Sequence, residues 1–181
     1  NYNGSWNGLT IISIAIGQGE VTATPLQIAN LGATIANRGY FITPHVVKEI
    51  EDEALDSLYT TKRYTKVSEK HYETVVQGMR AAVTGGTCRA ANLPGLDVCG
   101  KTGTAQNKGK DHSAFMGFAP MNNPKIAVAV YVENGGWGAT YGVPIGALIM
   151  EKYLNGTLSP QSEMKASDIQ MRRIDYGVHE R

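Results

Sequence analysis

The residues best suited to chemistry stand together at Gly100-Lys101-Thr102-Gly103-Thr104-Ala105-Gln106. Two chemistries compete for Lys101. The first is phosphate binding, because Gly95, four intervening residues and then Gly100-Lys101-Thr102 satisfy the G-x-x-x-x-G-K-[ST] spacing. Such a loop works only where a strand delivers it onto a helix N-terminus, whose N–H groups then face the phosphates. Neither flank complies. Residues 89–94 do not read as a buried strand, and Leu96, Asp97 and Val98 fill a loop that needs small residues. Beyond Thr102, Gly103, Asn107 and Gly109 make a poor helix start. The second chemistry is acyl transfer beside a strand, and residues 98–106 suit one. On a strand Thr102 and Thr104 share a face, so their hydroxyls can meet a substrate carboxylate together. Gly103 between them carries no side chain and lets an extended peptide approach the backbone. Lys101 supplies a cation that favours the charge developing on acylation.

The surrounding pattern predicts the elements that hold this segment. Residues 9–16 are β-branched and bounded by Gly17, which predicts a buried strand. Thr24 and Pro25 then form a helix start, an apolar stripe follows through Leu26, Ala29, Ala33 and Ala36, and Asn37-Arg38-Gly39 ends it. Residues 41–50 and 58–67 read as strands. Ser68 caps a second helix carrying Val75, Val76, Met79, Ala82 and Val83, and Gly85-Gly86 stops it. After an irregular connection over residues 87–95 come three strand candidates, 97–106, 113–119 and 125–133, with hairpin-length loops between them. Residues 143–154 are apolar at helical spacing, and residues 157–181 read as a polar tail. The fold class expected is α+β, an antiparallel sheet with helices packed on it.

Composition narrows the function. The 181 residues suffice for one domain over residues 1–156, and 42% hydrophobic with 18% charged residues indicates a globular chain. A formal charge of +1 advertises no basic face, so nucleic acid is not an expected partner. The longest apolar runs, 9–16 and 126–132, are too short to span a bilayer. Cys88 and Cys99 are too few for a four-ligand zinc site. They are expected either as a disulfide, in an exported protein, or as two buried thiols.

Several segments together carry a resemblance. They are Ile16-Gly17-Gln18-Gly19-Glu20, Ala23-Thr24-Pro25-Leu26-Gln27, Ala36-Asn37-Arg38-Gly39, the Lys-Thr-Gly segment and Phe115-Met116-Gly117-Phe118-Ala119-Pro120. In order and spacing they resemble class B penicillin-binding proteins, the peptidoglycan D,D-transpeptidases, and within them the penicillin-binding protein 2 type. The resemblance spans residues 9–155 and implies a five-stranded antiparallel sheet flanked by helices, as in serine β-lactamases. It implies peptidoglycan stem peptides as substrates, β-lactams as inhibitors, and other cell-wall elongation proteins as partners in the membrane. It also implies a periplasmic domain anchored in the bacterial inner membrane by a helix outside this sequence. No metal or organic cofactor is implied.

Carried over by residue, Lys101, Thr102 and Gly103 match the family's third motif. The N–H of Thr104 is expected as one oxyanion-hole donor, the other belonging to the nucleophilic serine. Gly17, Gln18, Gly19, Thr24, Pro25 and Gln27 are expected to shape the fold, and His112 to be structural. The Ser-x-x-Lys and Ser-x-Asn motifs, which precede Lys-Thr-Gly in the family, have no counterpart in the expected place. Ser162-Glu163-Met164-Lys165 lies downstream, and Ser5-Trp6-Asn7 sits on a loop too close to the Gly-Gln-Gly segment; both read as coincidences. With its mid-loop start and no initial methionine, the chain reads as a fragment that does not acylate alone. Within the superfamily, a β-lactamase and a β-lactam sensor are the rival functions.

Overall fold

A computed structural model describes residues 6–19 and 21–174. The N-terminal loop over residues 1–5 and the Glu20 of the Gly-Gln-Gly-Glu turn fall outside the described residues. The centre of the molecule is an antiparallel sheet in the order β3 (Cys99–Ala105), β4 (His112–Ala119), β5 (Ile126–Val132). Helix α2 (Pro25–Ala36) and helix α3 (Glu69–Thr84) cover one side, while α4 (Gly142–Asn155) packs on the other. Cross-strand register makes Thr102 the partner of Phe115 and Gly103 the partner of Ala114. Alternation then sends Gly100, Thr102, Thr104, Ser113, Phe115 and Gly117 toward α4, and Lys101, Gly103, Ala114 and Met116 toward α2. The α+β class and the three-strand meander expected from the sequence are both present.

Helix α2 forms where the sequence places it. Thr24 caps it, accepting the N–H of Gln27, while the Gln27 side chain accepts the N–H of Thr24 at 2.8 Å. That reciprocal pair satisfies donors that a helix start otherwise leaves unpaired. Helix α3 buries Tyr72, Val76, Met79 and Val83 and stops at Gly85, as its apolar spacing requires. Arg80, on the same helix, reaches the entry of β3: its Nη1 donates to the Val98 carbonyl at 2.9 Å, and its Nη2 pairs with Asp97 at 3.3 Å.

Four expectations need correction. Residues 9–16 are not a buried strand; Gly8–Ala15 is helix α1, and Leu9, Ile11 and Ile12 are exposed. The side chain of Asn7 accepts the N–H groups of Leu9 and Thr10, and this cap outweighs a strand propensity that depends on having neighbours to pack against. The strand expected over 41–50 shrinks to β1 (Tyr40–Phe41), since Pro44 has no N–H to give a ladder. The one expected over 58–67 becomes a 3₁₀ turn (Ser57–Tyr59) and β2 (Arg63–Tyr64), which pairs with β1. The polar tail contains helix α5 (Pro160–Met171), started by Ser159 as its cap and Pro160 at its first position.

Cys88 and Cys99 are not joined; both are buried free thiols. Cys88 belongs to the cluster with Val98, Phe115, Val143 and Met150, and Cys99 to the one with Ile35, Val76, Met79 and Phe118. The two sulfurs therefore serve opposite sides of the sheet. Burial pushes both thiols up, Cys99 to about 11, so they remain neutral apolar fillers.

The α4 side is organised around Phe115, which is 2% exposed. A Cβ on Gly100 or on Gly117 would stand 2.5 Å from its ring, and one on Gly146 would also strike it. Glycine on three sides gives the ring its room. Phe115→Ala is expected to destabilise the protein by about 3–5 kcal/mol, and Gly146→Ala by about 1–3 kcal/mol, in urea unfolding followed by circular dichroism.

Helix α5 is tied to α4 by Glu151, only 4% exposed, whose Oε1 accepts the N–H of Ser159 at 3.1 Å. Burial alone raises its carboxyl, but the Ser162 and Ser159 groups and the charge of Lys165 outweigh this and set it below the usual glutamate range. A depressed folded-state pKa stabilises the fold above the unfolded-state value, and that stabilisation disappears as pH falls through the folded-state value. The stability gap between the parent and Glu151→Gln, from urea midpoints, should therefore be full at neutral pH and close on acidification.

Candidate active site

Among the described residues β3 has a strand neighbour on one side only, so its other edge is open to an incoming chain. The Lys-Thr-Gly segment lies on this edge strand, not at a helix mouth, which excludes the phosphate-loop arrangement. Thr102 and Thr104 do share a face, as strand alternation requires. Lys101 leaves from the opposite face but curls back to the edge, where its Nζ donates to the Thr102 carbonyl at 2.7 Å. Gln18 reaches the same edge two residues on, its Nε2 donating to the Thr104 carbonyl at 3.1 Å. Residues two apart in an antiparallel strand aim their main-chain groups the same way. Thr102 and Thr104 thus aim their main-chain groups along one rim, their carbonyls capped by the Lys101 and Gln18 side chains, which an incoming strand would displace.

Gly103 sits between two hollows. One, of about 210 Å³, is lined by Pro25, Ile28, Lys101, Met116 and Tyr131. The other, of about 530 Å³, is lined by Gln18, Thr22, Ala23, Thr104 and Ala105. The Gly-Gln-Gly and Thr-Pro segments, expected only to shape the fold, therefore also form a wall of the groove along β3. Gln18 in particular touches the edge; its position next to two glycines was the available signal.

Behind the threonines the β5–α4 loop is locked down. The buried Ser113 hydroxyl donates to the Trp137 carbonyl at 2.8 Å and accepts the Gly142 N–H at 3.0 Å. Thr87, in the irregular connection just past the end of α3, has its Oγ1 2.9 Å from that of Thr102. His112 has a structural place: its Nδ1 accepts the Asn134 N–H at 3.0 Å, and its ring rests against Tyr131 at 5.3 Å. The two chance motif matches have other places where they are described. Ser162 is buried in the α4–α5 joint, Asn7 caps α1, and Ser5 lies outside the described residues.

An edge strand bearing Lys-Thr-Gly-Thr, backed by a helix and a closing three-strand meander, agrees with the family comparison. The model of the penicillin binding protein transpeptidase domain matches residues 1–154. The chain belongs to this transpeptidase family. Peptidoglycan D,D-transpeptidase MrdA of Haemophilus influenzae is 35% identical over 95% of the chain and 30% of its own length. Pseudomonas aeruginosa PBP2, solved in complex with WCK 5153, superposes with a TM-score of 0.71 at 36% identity, covering 87% of the chain and 36% of that structure. A ceftriaxone acyl-enzyme of penicillin-binding protein A from M. tuberculosis gives a TM-score of 0.66 at 32% identity over 77% of the chain and 34% of its own. The chain thus spans about a third of the length of the transpeptidases it matches. Among the described residues no helix is long and apolar enough to cross a membrane.

The loop that closes β3 from behind depends on Gly138. A Cβ there would meet the Ala114 carbonyl oxygen at 2.5 Å and that of Gly103 at 2.6 Å. Both are main-chain atoms of the sheet, so the loop itself must move. Gly138→Ala is expected to lower stability by about 1–3 kcal/mol in thermal unfolding.

Proposed function

We propose that this chain supplies the Lys-Thr-Gly wall of a peptidoglycan D,D-transpeptidase of the penicillin-binding protein 2 type. The observation that carries the reading is the geometry of β3: a lysine and two same-face threonines on the open rim of the sheet. A stem peptide ending in D-alanyl-D-alanine adds along that rim as an extended strand, its backbone meeting the main-chain groups of Thr102 and Thr104. Their hydroxyls take the terminal carboxylate, and Gly103 leaves the space for the approach. The serine, from the remainder of the enzyme, attacks the penultimate D-alanine carbonyl. Its oxyanion is held by the N–H of Thr104 and that of the serine itself.

Lys101 places its cation beside the serine network, where it stabilises the charge formed on acylation. Collapse of the tetrahedral intermediate expels D-alanine and leaves an acyl-enzyme, which an amine of a neighbouring stem peptide then attacks to form the cross-link. A β-lactam follows the first half of this course and stops as an adduct; penicillin-binding protein A from M. tuberculosis is known as a ceftriaxone acyl-enzyme. The work belongs on the periplasmic side of the inner membrane, beside other cell-wall elongation proteins, with the enzyme anchored by a helix outside this sequence.

The test is acylation of the whole enzyme by a fluorescent penicillin. The parent should form an adduct lasting hours, and Lys101→Ala should acylate roughly 10²–10³-fold more slowly. Rapid release of the adduct would instead favour a β-lactamase. An adduct without transfer to an added D-amino acid would favour a sensor.

A further inference from the structure

We propose that Thr87 is a positioning residue for the transpeptidase site, holding the Thr102 hydroxyl so that its proton points at the substrate carboxylate. The inference rests on the reading of β3 given above. A threonine hydroxyl has one proton to give and two lone pairs to fill. With its own proton committed to a carboxylate, Thr102 needs a donor at its oxygen, and the hydroxyl of Thr87, 2.9 Å away, is placed to be that donor. Neither hydroxyl of the pair is closed off from solvent, so an arriving anion can reach it. With the anion absent either hydroxyl can donate; with it bound, only the direction from Thr87 to Thr102 serves the ligand.

Thr87 is delivered by a backbone built for the purpose. Helix α3 ends at Gly85, and the chain folds back over its last turn, the N–H groups of Gly86 and Cys88 both donating to the Ala82 carbonyl, at 3.1 and 2.9 Å. A Cβ on Gly86 would stand 2.8 Å from the Ala82 Cα, so only glycine allows this return. Cys88, fully buried, then fixes the next residue in the core. Its thiol lies near both Thr87 and the Thr102 main chain, and burial keeps it protonated. Thr87 is therefore held on both sides, with its hydroxyl between the Cys88 thiol and the hydroxyl of Thr102.

The experiment uses the whole enzyme and two probes, a penicillin with its free carboxylate and the methyl ester of the same penicillin. The parent should acylate faster with the acid. Thr87→Val should slow acylation by the acid about tenfold while leaving the ester unchanged, so that discrimination between them falls by the same factor. Thr87→Ser, which keeps the hydroxyl, should stay within about twofold of the parent. Thr87→Ala repeats the deletion without adding a branched methyl, and melting temperatures confirm that each variant folds. Equal slowing of acid and ester, a serine variant as slow as the valine one, or valine and alanine variants at the parental rate would each overturn the role of Thr87. Failure of the parent to form an adduct would overturn the transpeptidase reading instead, and it is visible before any variant is compared.

Discussion

The contact on which the rest of this structure depends is the Phe115 ring lodged among glycines. A ring lying this close to the sheet needs neighbours without side chains, and Gly100, Gly117 and Gly146 supply them from β3, from β4 and from α4. Three elements are thereby fixed to one side chain. Gly100 is also the residue before Lys101, so the packing of the core and the placement of the site lysine are set by the same few atoms. Gly142, at the start of α4, adds a fourth point of close approach, since its Cβ would stand 3.0 Å from Phe115 Cβ. Interiors packed at crystal-like density transmit such constraints with little slack.

The opposite side of the sheet is built differently. There Met116 lies under Gly32 of α2, whose Cβ would come within 3.2 Å of its Cγ, and Cys99 and Phe118 meet Val76 and Met79 of α3. The strand bearing the site thus has a rigid aromatic wedge behind its threonines and a softer, sulfur-containing layer beneath its lysine. That division suits the roles proposed for them: threonine hydroxyls would have to be aimed, whereas a lysine on a flexible stem can find its position.

What the sequence disclosed, it disclosed where local and global signals agreed. Thr24-Pro25 with Gln27 is a capping box followed by an apolar stripe, and β3 to β5 alternate between turns of hairpin length. Residues 9–16 misled because Thr10, Ile11, Ile12, Ile14 and Ile16 carry strand propensity, while the deciding feature, the Asn7 cap, is a single side chain just ahead of the helix. Helix α5 hid behind a weak apolar pattern, although Ser159-Pro160 marks its start. At the site, Lys101 to Thr104 were legible because a strand fixes which residues share a face. Thr87 was not, since its partner is 15 residues away and only the fold of the Gly85-Gly86 return brings them together. Gln18 lies 86 residues from Thr104 and was invisible for the same reason.

Arg80 gives the arrangement a further property. A β-strand slipped by one residue turns every side chain to the other face, so a shift of β3 would send both threonines toward α2 and the lysine toward α4. The guanidinium holds the Val98 carbonyl and the Asp97 carboxylate immediately before the strand begins, and both contacts oppose that slip. Helix α3 is in this sense the index mark of the sheet: it decides which way the site looks.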